Sequence, residues 1–280
     1  LAFETFIENI PFYGFAALCI DHPEVQSMIP RVSDRRIITY GFSPQADVRG
    51  VNLQPSSFKT HFDVIITGRN KSVERHIQGL QLPMVGDHNV QNSLAAIAIA
   101  CEMNLDDAAV RQALANFAGV KRRFTRTGNV DGIIIVDDYA HHPVEIAAVL
   151  RAARSAVRGK VIAVVQPHRY SRLHDLFEEF CTCFNDADAV FVADVYGAGE
   201  EPIAGCDRDS FVEGLRHHGH RAVEALQQKE NLPEIMAGVA EPGDIVICLG
   251  AGDITQWAND LPNDLQAWKN REGHPKNYVS

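Results

Sequence analysis

IIIVDDYAHHPVEI, Ile133 to Ile146, decides the class of fold. Its first four residues are an unbroken β-branched run, the pattern of a strand covered on both faces. Pro143 then opens an amphipathic stretch reaching Val157, with the proline in the first helical turn, where its missing N–H is not needed. Between strand and helix stand two carboxylates, a phenol and two imidazoles. Strand, polar loop and helix in that order make half of a βαβ unit.

The same alternation continues downstream. Val161–Gln166, Ala189–Ala193 and Ile245–Leu249 are further strand candidates, and Arg172–Phe184, Arg208–His217 and Leu232–Val239 are helix candidates. Short apolar runs separated by amphipathic helices predict a doubly wound α/β domain, its parallel sheet covered on both faces. In such sheets ligands sit beyond the carboxyl ends of the strands. Three of those ends carry polar chemistry: DDYAHHP, PHRYSR (Pro167 to Arg172) and GAGDI (Gly250 to Ile254). A doubly wound sheet aligns them on one rim.

Each loop has a plain reading beside a chemical one. Arg169 and Arg172, three apart, share a face if the helix has begun. There they form an anion site for a carboxylate or phosphate, or simply meet surface acids such as Asp175 or Glu178. In DDYAHHP, Asp138 or a following residue can cap the helix. Alternatively, Asp137, Asp138, His141 and His142 are ligands of a metal-dependent phosphoesterase, although adjacent imidazoles do not easily face one ion. A third reading has Asp137 bonding a ribose while Tyr139 and His141 line a substrate pocket. GAGDI implies close backbone passage.

Upstream, residues 1–120 read differently. FAALCI (Phe15 to Ile20) and RIITYGF (Arg36 to Phe42) are buried-strand candidates. VRGVNLQ, THFDVIITG and SVERHIQGL alternate with period two and suit an antiparallel meander. A helix follows over Val90 to Met103, and another, capped by Asp106, runs to Phe117. In GDHNVQN, His88, Asn89 and Asn92 stand at a helix start, where amides can read an adenine edge by donating and accepting at once; N-capping by Asp87 or Asn89 is the alternative. The pattern changes at GVKRRF, Gly119 to Phe124, and the boundary between residues 1–120 and 121–280 is placed there.

Bulk properties bound the rest. The chain has 280 residues, 46% hydrophobic and 22% charged, as in a globular protein. A net charge of −10 argues against a general nucleic-acid binder, though not against a nucleotide pocket. The longest apolar window, Leu94 to Cys101, is too short to span a membrane. The six cysteines show no CxxC or zinc spacing and read as buried thiols of a reduced, cytoplasmic protein. The opening LAFETFIENI lacks an initiator methionine and places Leu1, Phe3, Phe6, Ile7 and Ile10 on an amphipathic helix, read as a cut through a larger protein.

GDHNVQN, GVKRRF, DDYAHHP, QPHRYSR, VYGAGEEPI and GAGDI, in this order and spacing over nearly the whole chain, resemble the Mur ligase family. The resemblance implies that residues 1–120 are the later part of a central ATPase domain with a mixed sheet, and that residues 121–280 are a Rossmann-like C-terminal ligase domain. It implies ATP-dependent amide formation through an acyl phosphate in bacterial peptidoglycan precursor synthesis, with UDP-N-acetylmuramate, L-alanine and ATP as partners and Mg2+ as cofactor. Residue by residue, it gives His88, Asn89, Asn92, Arg123 and Asp137 to ATP, with Asp137 on the ribose. It puts Tyr139, His141, His168, Arg169 and Arg172 at the L-alanine side, the arginines holding the carboxylate. A family member that attaches a preformed peptide shares the AHHP element and is the nearest alternative. No GxxxxGK[ST] phosphate loop occurs here, and no metal ligand is assigned in this chain; the family's magnesium ligands fall upstream of residue 1, so the 280 residues alone are expected to be inactive.

Overall fold

The computed structural model describes residues 2–32, 34–56, 58–67 and 74–271, so that Leu1, Gly68, Ser72 and Val73 of the segments read above lie outside it. The chain divides into two compact units, Leu1–Ala118 and Gly119–Ser280.

The first unit begins with α1 (Ala2–Glu8), β1 (Phe15–Cys19), α2 (Pro23–Met28) and β2 (Arg36–Gly41). The strands β3 (Val48–Ser56), β4 (Lys59–Thr67) and β5 (Glu74–Leu82) and the helices α3 (Asp87–Glu102) and α4 (Asp107–Ala115) complete it. Its five strands lie in sequence order; β1, β2 and β3 are parallel, and β3, β4 and β5 form the antiparallel meander. Val90, Leu94, Ile97 and Ala98 recur at helical spacing on α3 and bury against Val48, Phe62, Val64, Ile77 and Leu80 of the sheet. Asp106 caps α4 by accepting from the Ala109 amide at 2.6 Å. On α1 the expected apolar face splits: Ile7 is buried beside Ala16 and Met28, while Phe3 and Phe6 are 78% and 72% exposed.

The second unit runs β6 (Thr125–Val130), β7 (Ile133–Asp138), α5 (Pro143–Ala156), β8 (Val161–Val165), α6 (Tyr170–Asp175), α7 (Phe177–Thr182) and β9 (Ala189–Val192). It continues with α8 (Arg208–His217), β10 (Val223–Ala225), α9 (Leu232–Val239), β11 (Ile245–Leu249) and α10 (Ile254–Arg271). The strand order is β10-β9-β8-β11-β7-β6. All neighbours are parallel except β6, which returns antiparallel along β7, so the sheet is mixed where a purely parallel one was expected. The turn at Asp131-Gly132, both at positive φ, makes that hairpin. Alternate strand residues (Ile133, Ile135, Ile162, Val164, Val246, Cys248) pack under α9 and α10, around Met236, Ile254, Ala258 and Leu265. The helix expected over Arg172–Phe184 is two pieces, because Leu176 leaves helical geometry at φ −126 and ψ 27. None of the described helices is long and apolar enough to cross a membrane. All six cysteines are free thiols, and burial pushes the Cys181 thiol up to about 11.

Candidate active site

Strand register builds the rim. Leu249 pairs with both Asp138 and Val165, and Val165 pairs with Val192, so the carboxyl ends of β7, β11, β8 and β9 finish in one row. The loops leaving them are therefore neighbours, although more than a hundred residues separate the first from the last. The loops pack closely because two positions lack side chains. A Cβ on Gly250 would lie 2.7 Å from the Gln166 carbonyl, and one on Gly252 would lie 2.4 Å from Gln166 Oε1 and 2.7 Å from the Tyr196 ring. This is the close passage expected of GAGDI. Gln166 closes it by donating from Nε2 to Asp253 at 2.7 Å.

Four rings line this rim. Tyr139 meets His141 edge to face at 4.9 Å, His141 meets His168 at 5.9 Å, and His168 stacks on Tyr196 at 5.5 Å and 13°. His141 Nδ1 lies 2.8 Å from the Tyr139 carbonyl and 3.6 Å from Glu145, so Nδ1 is the ring nitrogen that donates into the loop. His142 points elsewhere and caps α5, accepting from the Val144 amide at 3.4 Å. Burial, with the charges of Arg172 and His141 alongside, lowers the His168 pKa below the ordinary imidazole value.

The two arginines belong to the same turn, but not as a pair on one helix. Arg169 precedes α6 with φ at 73°, a left-handed backbone uncommon for a residue with a side chain. Its amide donates to the Tyr196 carbonyl at 2.8 Å. Its guanidinium is half exposed and lies 3.6 Å from Glu200. Arg172 folds back, donating to the His168 carbonyl at 2.9 Å. Neither meets Asp175 or Glu178; the acid that balances Arg169 comes from the loop after β9. Glu200 also accepts from the Ser171 hydroxyl at 2.7 Å and its amide at 2.9 Å, and these bonds hold its carboxyl below the usual range.

Successive side chains of a strand point to opposite faces, and this separates the two aspartates. Asp137 is buried toward α10 and accepts from the Thr255 hydroxyl at 2.5 Å; its Oδ1 has no partner among the described residues. Asp138 is buried on the other side and accepts from the amides of Phe124 at 2.7 Å and Ala140 at 2.8 Å. Desolvation raises its pKa to about 6, opposed by those amides and by the Arg123 charge. Asp138 thus braces the loop and does not cap α5. Arg122, the neighbour of the Arg123 given to ATP in the RRF run, lies 4.7 Å over the Tyr139 ring and donates to the Gly250 carbonyl at 2.7 Å, bonding two of the rim loops together. Among the described residues no cluster of three or more His, Cys, Asp or Glu side chains is placed to hold a metal ion.

In the first unit α3 begins three residues earlier than expected, and its N-cap is Gly86, at φ 91, with no side-chain cap. Neither Asp87 nor Asn89 fills that role. Asn89 is buried and donates to the Val85 carbonyl at 2.7 Å, His88 is half-buried, and Asn92 is exposed.

Comparison with known proteins matches the Mur ligase middle domain over residues 1–100 and the Mur ligase glutamate ligase domain over residues 122–252. The chain belongs to the Mur ligase family. It is 60% identical over 270 residues to a UDP-N-acetylmuramate–L-alanine ligase of Rhodospirillum rubrum, covering 96% of this chain and 56% of that protein. It is 61% identical to the protein of the same name from Nitrobacter hamburgensis, covering 95% of this chain and 57% of the relative. A crystal structure of UDP-N-acetylmuramate–alanine ligase from Thermotoga maritima matches with a TM-score of 0.68 at 25% identity, over 87% of this chain and 50% of that one. The chain therefore spans a little over half the length of the curated relatives it matches.

Proposed function

We propose that this chain works within an ATP-dependent ligase that joins L-alanine to the carboxylate of UDP-N-acetylmuramate. The reading is carried by the meeting of Tyr139, His141, His168, Arg169 and Arg172 on one rim, in a chain whose relatives bear that ligase's name. Arg169 presents a half-exposed guanidinium to an incoming carboxylate, with Arg172 and His168 behind it. His141, held through Nδ1 by the Tyr139 carbonyl, has its other ring nitrogen free to help orient the amine of that amino acid. Tyr139, its ring under Arg122, excludes water from one side.

ATP, when bound, supplies the phosphoryl group that activates the muramate carboxylate. In the first unit His88, Asn89 and Asn92 are the residues assigned to the adenine; in the second, Arg123 and Asp137 are assigned to the nucleotide, Asp137 keeping one carboxylate oxygen without a partner among the described residues while the other accepts from Thr255. The described residues offer no cluster of three or more carboxylate, imidazole or thiol groups that would hold magnesium. A phosphate-cradling GxxxxGK[ST] run is absent from this sequence, and such a cradle supplies much of the charge stabilisation in phosphoryl transfer. The 280 residues alone are expected to release no phosphate above background when given ATP, L-alanine and UDP-N-acetylmuramate; robust turnover would show that the phosphates are held by residues within it.

The deciding experiment uses the full-length protein. Arg169→Ala is expected to raise the KM for L-alanine roughly tenfold or more, the worth of a charge-assisted hydrogen bond, with the KM for ATP within about twofold. Equal effects on both substrates would remove the role given to Arg169. Use of a preformed peptide in place of free L-alanine would overturn the choice of acceptor.

A further inference from the structure

The loop after β9 enters the rim twice, at Tyr196 and at Glu200, and neither residue has a part in the chemistry above. Tyr196 is 41% exposed, yet it is held on every other side. Its ring stacks on His168 at 5.5 Å. It beds against Gly252 so closely that a Cβ there would stand 2.7 and 2.9 Å from ring carbons. Its amide donates to the Pro167 carbonyl and its carbonyl accepts from the Arg169 amide, both at 2.8 Å, so its backbone is paired with the turn that carries the arginines. Four residues on, Glu200 faces Arg169 at 3.6 Å and bonds Ser171 twice. The loop and the turn are thereby one rigid piece.

We propose that Tyr196 is a specificity-determining residue, a fixed wall that limits the acceptor amino acid to a small side chain, with Glu200 as the positioning residue that keeps Arg169 in place beside it. This rests on the acceptor reading above and goes beyond it. The Arg169 amide is bonded to the Tyr196 carbonyl and Arg172 Nη1 lies 3.3 Å from His168 Nδ1, so an amino acid whose carboxylate is held by these two arginines is placed beside the His168–Tyr196 stack. A wall that cannot swing away gives a sharp size limit. Each extra methylene in a well-packed pocket changes selectivity about 10-fold or more, and a loosely held ring would give much less. The Tyr196 hydroxyl is not needed for this; the ring is.

The test compares kcat/KM for L-alanine and L-valine in the full-length protein. Tyr196→Ala is expected to lower the alanine-to-valine ratio about tenfold or more, mostly through the KM for valine, while the KM for ATP stays within twofold. Tyr196→Phe is expected to keep the wild-type ratio. If Tyr196→Ala fails to give a cooperative melting transition, Tyr196→Leu, which keeps a filling side chain over Gly252, reads the same ratio and is expected to lower it at least threefold. Glu200→Gln keeps an acceptor for Ser171 but loses the charge facing Arg169, and is expected to raise the KM for alanine several-fold with kcat little changed. A ratio unchanged within twofold in the folded variant overturns the proposal for Tyr196. A fall in kcat without a rise in KM overturns it for Glu200. Absence of alanine turnover in the wild-type protein would instead remove the acceptor reading, and this inference with it.

Discussion

At the scale of single residues, the two aspartates that end β7 differ by facing, and the difference is measurable. Asp138 has its pKa raised to about 6 because burial outweighs the two amides and the Arg123 charge that favour its ionised form. A raised folded-state pKa means that the native protein binds this proton more tightly than the unfolded chain, whose value is near 3.8. The stabilisation is complete below about pH 4, is lost as pH rises through about 6, and changes no further above that. Carbonyl-carbon NMR of labelled aspartate is expected to show one carboxyl titrating near 6. Asp138→Asn is expected to flatten the fall in urea midpoint between pH 4 and 6 relative to the parent; an unchanged slope would assign the linkage elsewhere. The residues of this rim were legible in the sequence as types at strand ends. Their partners were not: Glu200 for Arg169, Arg122 for Tyr139 and Thr255, in the first turn of α10, for Asp137 come from other segments of the chain, and no local spacing reports such meetings.

At the scale of elements, helix α8 shows where propensity yields to packing. Gly214 sits within it, and Gly→Ala inside a helix ordinarily stabilises by about 1 kcal/mol. Here a Cβ would stand 2.6 Å from Cys181 Sγ and 2.8 Å from the Phe177 ring, both on α7. Overpacking of that kind costs about 1–3 kcal/mol, so the steric cost wins and Gly214→Ala is expected to lower the urea midpoint. Gly238 in α9 is the counterpart, because a Cβ there meets nothing within 4 Å. Gly238→Ala is expected to raise the midpoint, by about 0.4–1 kcal/mol of stability. Opposite signs from one substitution type would show that contact, not propensity, decides. The same balance explains what was readable among the elements. Arg208–His217 and Leu232–Val239 were read at their observed bounds, since an Asp207 cap and a first-turn proline are written locally. The break at Leu176 has no glycine or proline to announce it, and β10 is three residues long, so neither was anticipated. Strand β6, with Thr, Arg, Gly and Asn among its six residues, is a strand because β7 offers it an edge.

At the scale of the whole molecule, each unit closes its own core. The cluster under α9 and α10 draws every member from Val130 onward, and the cluster under α3 draws every member from residues before Ala118. A domain with its own sheet, covered faces and a hydrophobic centre has what independent folding requires. Residues 119–271 alone are therefore expected to give a dispersed amide NMR spectrum and one cooperative urea transition, with Asp138 still titrating near 6. The titration is the sharper readout, because it needs Asp138 desolvated and bonded to the Phe124 and Ala140 amides, and so requires the β7 loop in its native form. Cooperative unfolding with Asp138 returned to an ordinary carboxylate value would mean that the sheet folds alone while the rim depends on the rest of the protein. In that case the geometry proposed for the acceptor side would be a property of the whole protein and not of this unit.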